Sequence, residues 1–229
     1  MRTLQQIGES IPGDGDKHKH HFQGTRHLER YEQYFSEFRE EECNILEIGV
    51  SAGHSLKVWE TYFPNATIYG VDIQPACDRH NTTRTKIKIG SQIDDNFMES
   101  IGEEAGNFKI ILDDGSHVGS HIIQTLKTMW KYLEPGGYYI FEDTFVTRTV
   151  NPIKRWPGYR EGGFVDIPEE DYEENDRDNY DIGKSRHIVD EFIMEALAGM
   201  DENIYKLKDF NASPLGDYPI ESMQFLSLI

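Results

Sequence analysis

Two kinds of apolar run alternate along the chain. Short stretches dense in Ile, Leu, Val, Tyr and Phe occur at Asn44–Ile48, Thr67–Ile73, Lys86–Ile89, Ile110–Asp113 and Tyr138–Phe141. Between them, apolar residues return every three or four positions: Leu56, Val58 and Trp59; a helical stretch from Asp95 to Ala105; and Ile122, Leu126, Met129, Trp130 and Leu133. Strand-length runs separated by helical ones predict βαβ units, in which the strands lie parallel and the helices cover both faces of one sheet. Pro135-Gly-Gly137 is expected to end the last of these helices. Ahead of the first strand, Leu28, Tyr31, Tyr34, Phe35 and Phe38 recur at helical spacing, so His27–Phe38 reads as an amphipathic helix whose aromatic stripe is core. Asn203–Phe210 and Met223–Leu228 read as two closing strands, a terminal hairpin on the sheet edge. The expected architecture is one doubly wound α/β domain over residues 1–229.

The pattern fails in two places. Residues 1–27 are polar and turn-rich and hold four of the nine histidines, which predicts a loop or arm, either solvated or folded over a ligand. From Thr144 to Gly183 no period is sustained, and residues 161–181 carry ten acids against one base. A stretch of that size beside an active edge reads as a lid or insert, with the aromatic and basic Pro152–Tyr159 as a flap and the acidic run as solvated surface. Helical spacing resumes from Lys184 to Leu197.

Charge narrows the function classes. Against 23 basic side chains stand 41 acidic ones, a net charge of −18, which repels phosphate backbones and anionic lipid. Neither nucleic acid nor membrane is an expected partner. No run of 18 apolar residues is present and the first residues lack the apolar centre of a signal peptide, so a cytoplasmic protein is expected. Cys43 and Cys77 fall at no metal-ligand spacing and read as buried structural thiols.

The chemistry concentrates where strands end. Ile110–His117 and Tyr138–Thr144 each stop in adjacent carboxylates, so Asp113, Asp114, Glu142 and Asp143 are expected at one carboxyl edge, sharing a crevice that calls for a hard cation. Successive strand residues point to opposite faces, so Glu142 and Asp143 share an ion only if the backbone has left β geometry there. Asn44–Ser55 is a strand running into a Gly-rich turn with Gly49 and Gly53, and Asp72 ends the next strand, 25 positions beyond Glu47, where an acid would grip a ribose diol. Gln92 and Asp94 border the expected base pocket. They either read an adenine edge or are plain turn polarity.

Glu47-Ile-Gly-Val-Ser-Ala-Gly53, Asp72, Asp113-Asp-Gly-Ser-His117 and Glu142-Asp143 resemble class I S-adenosylmethionine-dependent methyltransferases, and more narrowly the metal-dependent sugar O-methyltransferases of the mycinamicin and related macrolide pathways. The resemblance implies a mostly parallel, seven-stranded Rossmann-like sheet with an antiparallel C-terminal strand. It implies Mg²⁺ held by Asp114, Glu142 and Asp143, with Asp114 and His117 catalytic and His117 the general base. It places S-adenosylmethionine against Glu47, Gly49, Ser51, Gly53, Ser55, Asp72, Ile73, Gln92 and Asp113. Asp16, Lys17 and His21 resemble an Asp-Lys and nearby histidine that the family carries ahead of its first sheet strand. The implied acceptor is a sugar-containing small molecule or glycan, such as a deoxyhexose, and a homo-oligomer is compatible with the reading. Two rivals stay open: an Fe(II)-dependent hydroxylase of the similar cephalosporin hydroxylase group, weakened because a second metal-binding histidine is missing, and a non-catalytic S-adenosylmethionine-binding domain of a larger polypeptide.

Overall fold

The computed structural model describes residues 1–13, 15, 17–19, 21–22, 25–117, 119–142, 205–210 and 224–228. The expectations for the lid at 144–183, the helix at 184–197, Asp16 and Asp143 lie outside these residues.

Seven strands form one sheet: β1 (Asn44–Ile48), β2 (Thr67–Asp72), β3 (Thr85–Ile89), β4 (Phe108–Asp113), β5 (Leu133–Phe141), β6 (Tyr205–Phe210) and β7 (Gln224–Leu228). Their order is β3-β2-β1-β4-β5-β7-β6. The first five are mutually parallel, while β7 lies antiparallel between β5 and β6. The closing pair is therefore a hairpin, with its second strand inside and its first at the edge. The order in which strands are added reverses between β1 and β4, which opens the crevice at the carboxyl ends where doubly wound sheets place their ligands.

Helices α1 (Leu4–Ser10), α2 (His27–Phe35) and α3 (His54–Tyr62) precede or follow β1, and α4 (Asp95–Ala105) and α5 (Gly119–Met129) flank β4. The two faces of the sheet bury separate cores. Ile45, Ile110, Leu112, Tyr138 and Ile140 pack with Leu4, Ile7, Leu28, Tyr31 and Trp59 of α1–α3. Leu46, Ile48, Ile111, Tyr139 and Phe141 pack with Met98, Ile101, Ile122 and Leu126 of α4 and α5. Odd and even strand positions thus feed different cores, as a sheet covered on both faces requires.

Three details depart from the sequence expectation. The N-terminal arm is not a loop: Thr3 caps α1 through a reciprocal pair of bonds with Gln6, and Leu4 and Ile7 are fully buried. The helix was too short for its period to register, although Thr-x-x-Gln is a capping box. Its first turn is tied down by Leu4 N donating to Glu32 of α2 at 2.6 Å, and the same carboxylate accepts from the Tyr62 hydroxyl of α3 at 2.9 Å. The helix before β5 stops at Met129 and a 3₁₀ turn follows, so Leu133 already pairs with Phe108, and Pro135-Gly-Gly137 sits in a register shift within the strand rather than at the helix end. His27–Phe38, likewise, is an α-helix to Phe35 and a 3₁₀ turn thereafter. Cys43 and Cys77 are buried and carry no disulfide, and burial pushes each thiol up to about 11. Among the described residues no helix is long and apolar enough to cross a membrane.

The crevice depends on one close approach. Gly49 leaves β1 at φ +94°, and a Cβ there would stand 1.9 Å from the Asp114 carbonyl oxygen. Gly136 also has positive φ, at +74°, but a Cβ there meets nothing within 4 Å. Gly136→Ala should cost only the backbone penalty of about 1–2 kcal/mol, whereas Gly49→Ala adds a backbone collision and should exceed about 3 kcal/mol. Urea denaturation of the two variants checks this; equal losses would mean that the approach of Gly49 to Asp114 does not constrain the fold.

Candidate functional site

At the carboxyl edge the strand alternation decides which acids meet. Glu47 follows Ile45 on the α1–α3 face, Asp114 follows Leu112, and Glu142 follows Ile140. Asp114 N donates to Ile48 O and Glu142 N to Asp113 O, both at 2.9 Å, so β pairing persists to the last residue before each motif turns away. Asp113 projects to the opposite face. The expectation that Asp113 shares a crevice with Asp114 and Glu142 is thus corrected, and the reason is the two-residue period of the strand.

What joins the three acids on the α1–α3 face is a lysine from the N-terminal segment. Lys17 Nζ donates to Asp114 Oδ2 at 2.5 Å and to Glu142 Oε2 at 2.7 Å, and lies 4.0 Å from Glu47 Oε1. Lys17, Glu142 and Glu47 are buried, while Asp114 is partly exposed at 19% of its side chain. The other Glu142 oxygen accepts a short bond from the hydroxyl of Tyr31 in α2, and His27 Nδ1 lies 4.0 Å from Glu142 Oε2. Desolvation, reinforced by the Glu142 charge, holds the Tyr31 phenol well above its usual value, so it remains a donor. Tyr31 is itself fixed by stacking on Phe35 and by an edge contact with Trp59. His117 stands in the left-handed region at φ 58°, with Nε2 3.8 Å from Asp114 Oδ1.

The expected cofactor residues divide into a turn and its supports. Asp72 Oδ2 accepts from Val50 N and Ser51 N at 2.9 Å each, and Oδ1 accepts from Gln74 N at 2.8 Å. The carboxylate thus shapes the Gly-rich turn, with Ser51 exposed at φ 49°, Gly53 buried at φ 69°, and Ile73 half-buried beside them. Glu47 is wholly buried, accepting from Ser55 Oγ at 2.8 Å and Trp59 Nε1 at 3.2 Å, so Glu47 forms a floor beneath the turn. On the other face Gln92 is fully committed to the protein: Nε2 donates to Thr125 Oγ1 at 3.0 Å and toward both Asp113 oxygens at 3.3 and 3.4 Å, while Oε1 accepts from Ser116 N at 2.7 Å. Gln92 positions the Asp-Asp-Gly-Ser turn where an adenine contact was one of two expectations. Asp94, the other base-pocket candidate, caps α4 by accepting from Phe97 N.

Lys17 was visible only as part of a loose N-terminal resemblance, and His21 contributes backbone to a two-residue ladder with Arg26. Tyr31 and His27 carried no sequence signal of their own. Tyr31 sits in an apolar stripe, and only its hydroxyl reaching Glu142 separates it from a core aromatic.

Burial raises the Glu47 carboxyl to about 7, with Lys17 and the Ser55 hydrogen bond pulling partly the other way. Burial likewise raises Asp113 to about 7 against bonds from Gly115 and Gln92. A carboxyl with a raised folded pKa holds its proton longer in the folded state, so its favourable contribution is complete below about pH 4.5 and is lost as pH climbs toward 7. Glu47→Gln keeps the neutral form at every pH. In metal-free urea titrations its stability relative to the native protein should therefore rise by up to about 3 kcal/mol between pH 5 and pH 8; a pH-independent difference would show that Glu47 is ionised throughout.

Residues 46–144 match the family model described as a methyltransferase domain. The L-olivosyl-oleandolide 3-O-methyltransferase of Streptomyces antibioticus is 36% identical over 137 residues, covering 56% of this chain and 33% of that protein. The mycinamicin VI 2''-O-methyltransferase of Micromonospora griseorubida is 33% identical over 148 residues, covering 61% and 34%. The chain thus spans about a third of the length of the curated relatives it matches. Among solved structures, the MycE methyltransferase of the mycinamycin biosynthetic pathway, in complex with Mg, SAH and mycinamycin VI, superposes with a TM-score of 0.65 at 23% identity, over 99% of this chain and 53% of that one. Sheet order, Gly-rich turn and these likenesses converge: the fold is Rossmann-like, residues 46–144 match the methyltransferase-domain model, and the chain is similar in sequence to the O-methyltransferases named above.

Proposed function

We propose that this chain transfers the methyl group of S-adenosylmethionine to a hydroxyl of a sugar-containing acceptor, with Mg²⁺ as the required cation. The observation that carries the reading is the convergence of Asp114 and Glu142, from two neighbouring strands, on one position already held by a positive charge. The donor set fits a hard cation: carboxylate oxygens without thiolate. Among the described residues no three acidic, His or Cys side chains gather as ligands, and Asp143, the third proposed ligand, lies outside them. A cation bound there would acidify the acceptor hydroxyl it contacts.

The remaining chemistry belongs to the protein. Methyl transfer breaks the sulfonium–methyl bond, forms an ether, and releases the hydroxyl proton. His117 Nε2, 3.8 Å from Asp114 Oδ1, is the proposed acceptor of that proton. Tyr31 orients Glu142 through its hydroxyl, and Gln92 fixes the turn that carries Asp114 and His117. For the cofactor, exposed Ser51 with half-buried Gly49, Ser55, Asp72 and Ile73 offers the contact surface, while buried Gly53 shapes the turn and Glu47 lies beneath it. The sugar class follows the names of the sequence relatives, and the acceptor's identity is what product analysis must supply.

Asp114→Asn leaves Lys17 paired one to one with Glu142, so stability should hold while Mg²⁺ affinity and methyl transfer collapse together. Calorimetry and mass spectrometry of methylated glycosides read the two effects, and full transfer by this variant, or by the native protein in EDTA, would sink the metal mechanism. His117→Ala should separate the two, retaining Mg²⁺ binding while turnover falls by roughly two to four orders of magnitude. Hydroxylation of an acceptor with Fe(II) and oxygen would replace the methyltransferase reading by the hydroxylase one.

A further inference from the structure

The position between Asp114 and Glu142 is held by a side chain of the same polypeptide, and this arrangement implies competition. We infer that the Lys17 ammonium is the built-in counter-ion of the carboxylate pair, and that a divalent cation binds the pair only by displacing it. The inference rests on the metal reading above and adds a residue that sets the affinity and the conformational cost of loading.

Charge makes the exchange favourable. A single ammonium carries half the charge of the two carboxylates it bonds, whereas a divalent cation matches both. Sharing is not an option, because two cations on the same two oxygens repel strongly at low dielectric. Geometry makes the exchange local. The Lys17 carbonyl accepts from Leu28 N at the start of α2 at 3.3 Å, and the next carbonyl, of His18, accepts from Gln5 Nε2 of α1 at 2.9 Å. The backbone is thereby anchored at both helices, and the flexible four-carbon stem is what can withdraw.

The backbones that carry the two carboxylates, for their part, do not depend on Lys17 for their placement, and the Glu142 carboxylate has a second donor. Glu142 is held by the Tyr31 hydroxyl and by its own amide on Asp113 O, and Asp114 by its amide on Ile48 O. The site can therefore trade cations without rebuilding itself. Lys17 also keeps metal-free carboxylates from repelling one another, which lets the folded protein exist before loading.

Magnesium chloride titrated calorimetrically into the native protein and into Lys17→Met tests this, with Asp114→Asn as the control for binding at the pair. Displacement predicts that Lys17→Met is less stable without metal, binds Mg²⁺ about tenfold or more tightly, and gains a larger melting-temperature shift from it. Equal or weaker binding by Lys17→Met, with clear Mg²⁺ binding by the native protein, would overturn displacement and leave the metal reading standing. No Mg²⁺ binding by either protein would end both. Should Lys17→Met fail to fold, amine acylation of the native protein read by mass spectrometry decides the matter. Lys17 is 4% exposed, so its labelling should rise several-fold at saturating Mg²⁺ if it is expelled, and unchanged labelling at saturation would overturn the inference.

Discussion

The constraint on which the site depends is the two-residue alternation of parallel strands carried right to their carboxyl ends. It places Glu47, Asp114 and Glu142 on the face covered by α1–α3 and sends Asp113 to the face covered by α4 and α5. A cluster of negative charge is thereby confined to one side, where a tyrosine hydroxyl, an indole N–H and a lysine are in reach. The other side receives a single carboxyl that Gln92 and a backbone amide can satisfy. Without this sorting, four acids would face one crevice, and the low-dielectric interior would oppose folding.

The Gly-rich turn and the acidic turn are built against each other. Gly49 approaches the Asp114 carbonyl, and a Cβ on Gly115 would come within 2.3 Å of Gln92 Oε1. The two turns thus meet through backbone at Gly49 and Asp114, with the Gln92 amide packed against Gly115. Asp72 completes the arrangement by collecting the amides of Val50 and Ser51. A residue expected for ligand contact therefore shapes the protein even before any ligand arrives.

Much of this was legible in the sequence, for definite reasons. The five parallel strands carried strong β patterns and short connections, and β1, β2 and α4 begin or end at or next to where the pattern put them. The carboxylate pairs announced themselves because adjacent acids at the end of an apolar strand have no packing explanation. Tyr31 was hidden by its neighbours: Leu28, Phe35 and Phe38 make a core stripe, and one hydroxyl within it has no periodic signature. Gln92 read as either an adenine contact or turn polarity, because its partners Asp113, Ser116 and Thr125 are 21 to 33 positions away. Lys17 lay in a stretch without period, and its role comes only from where β4 and β5 end.

The separation of Lys17 from its partners also bears on how the site comes into being. Its bonds to Asp114 and Glu142 close loops of 97 and 125 positions, whereas a helical turn closes over four. Contacts of that span bear the largest chain-closure entropy and cannot be repaid until the strands between them are in register. The reactive edge is consequently among the last features that folding can complete, and a chain stalled with β5 undocked would have its Gly-rich turn but no second carboxylate for the lysine to join. The joining of Lys17 to both carboxylates therefore marks the docking of β5 on β4, a checkpoint written into the topology.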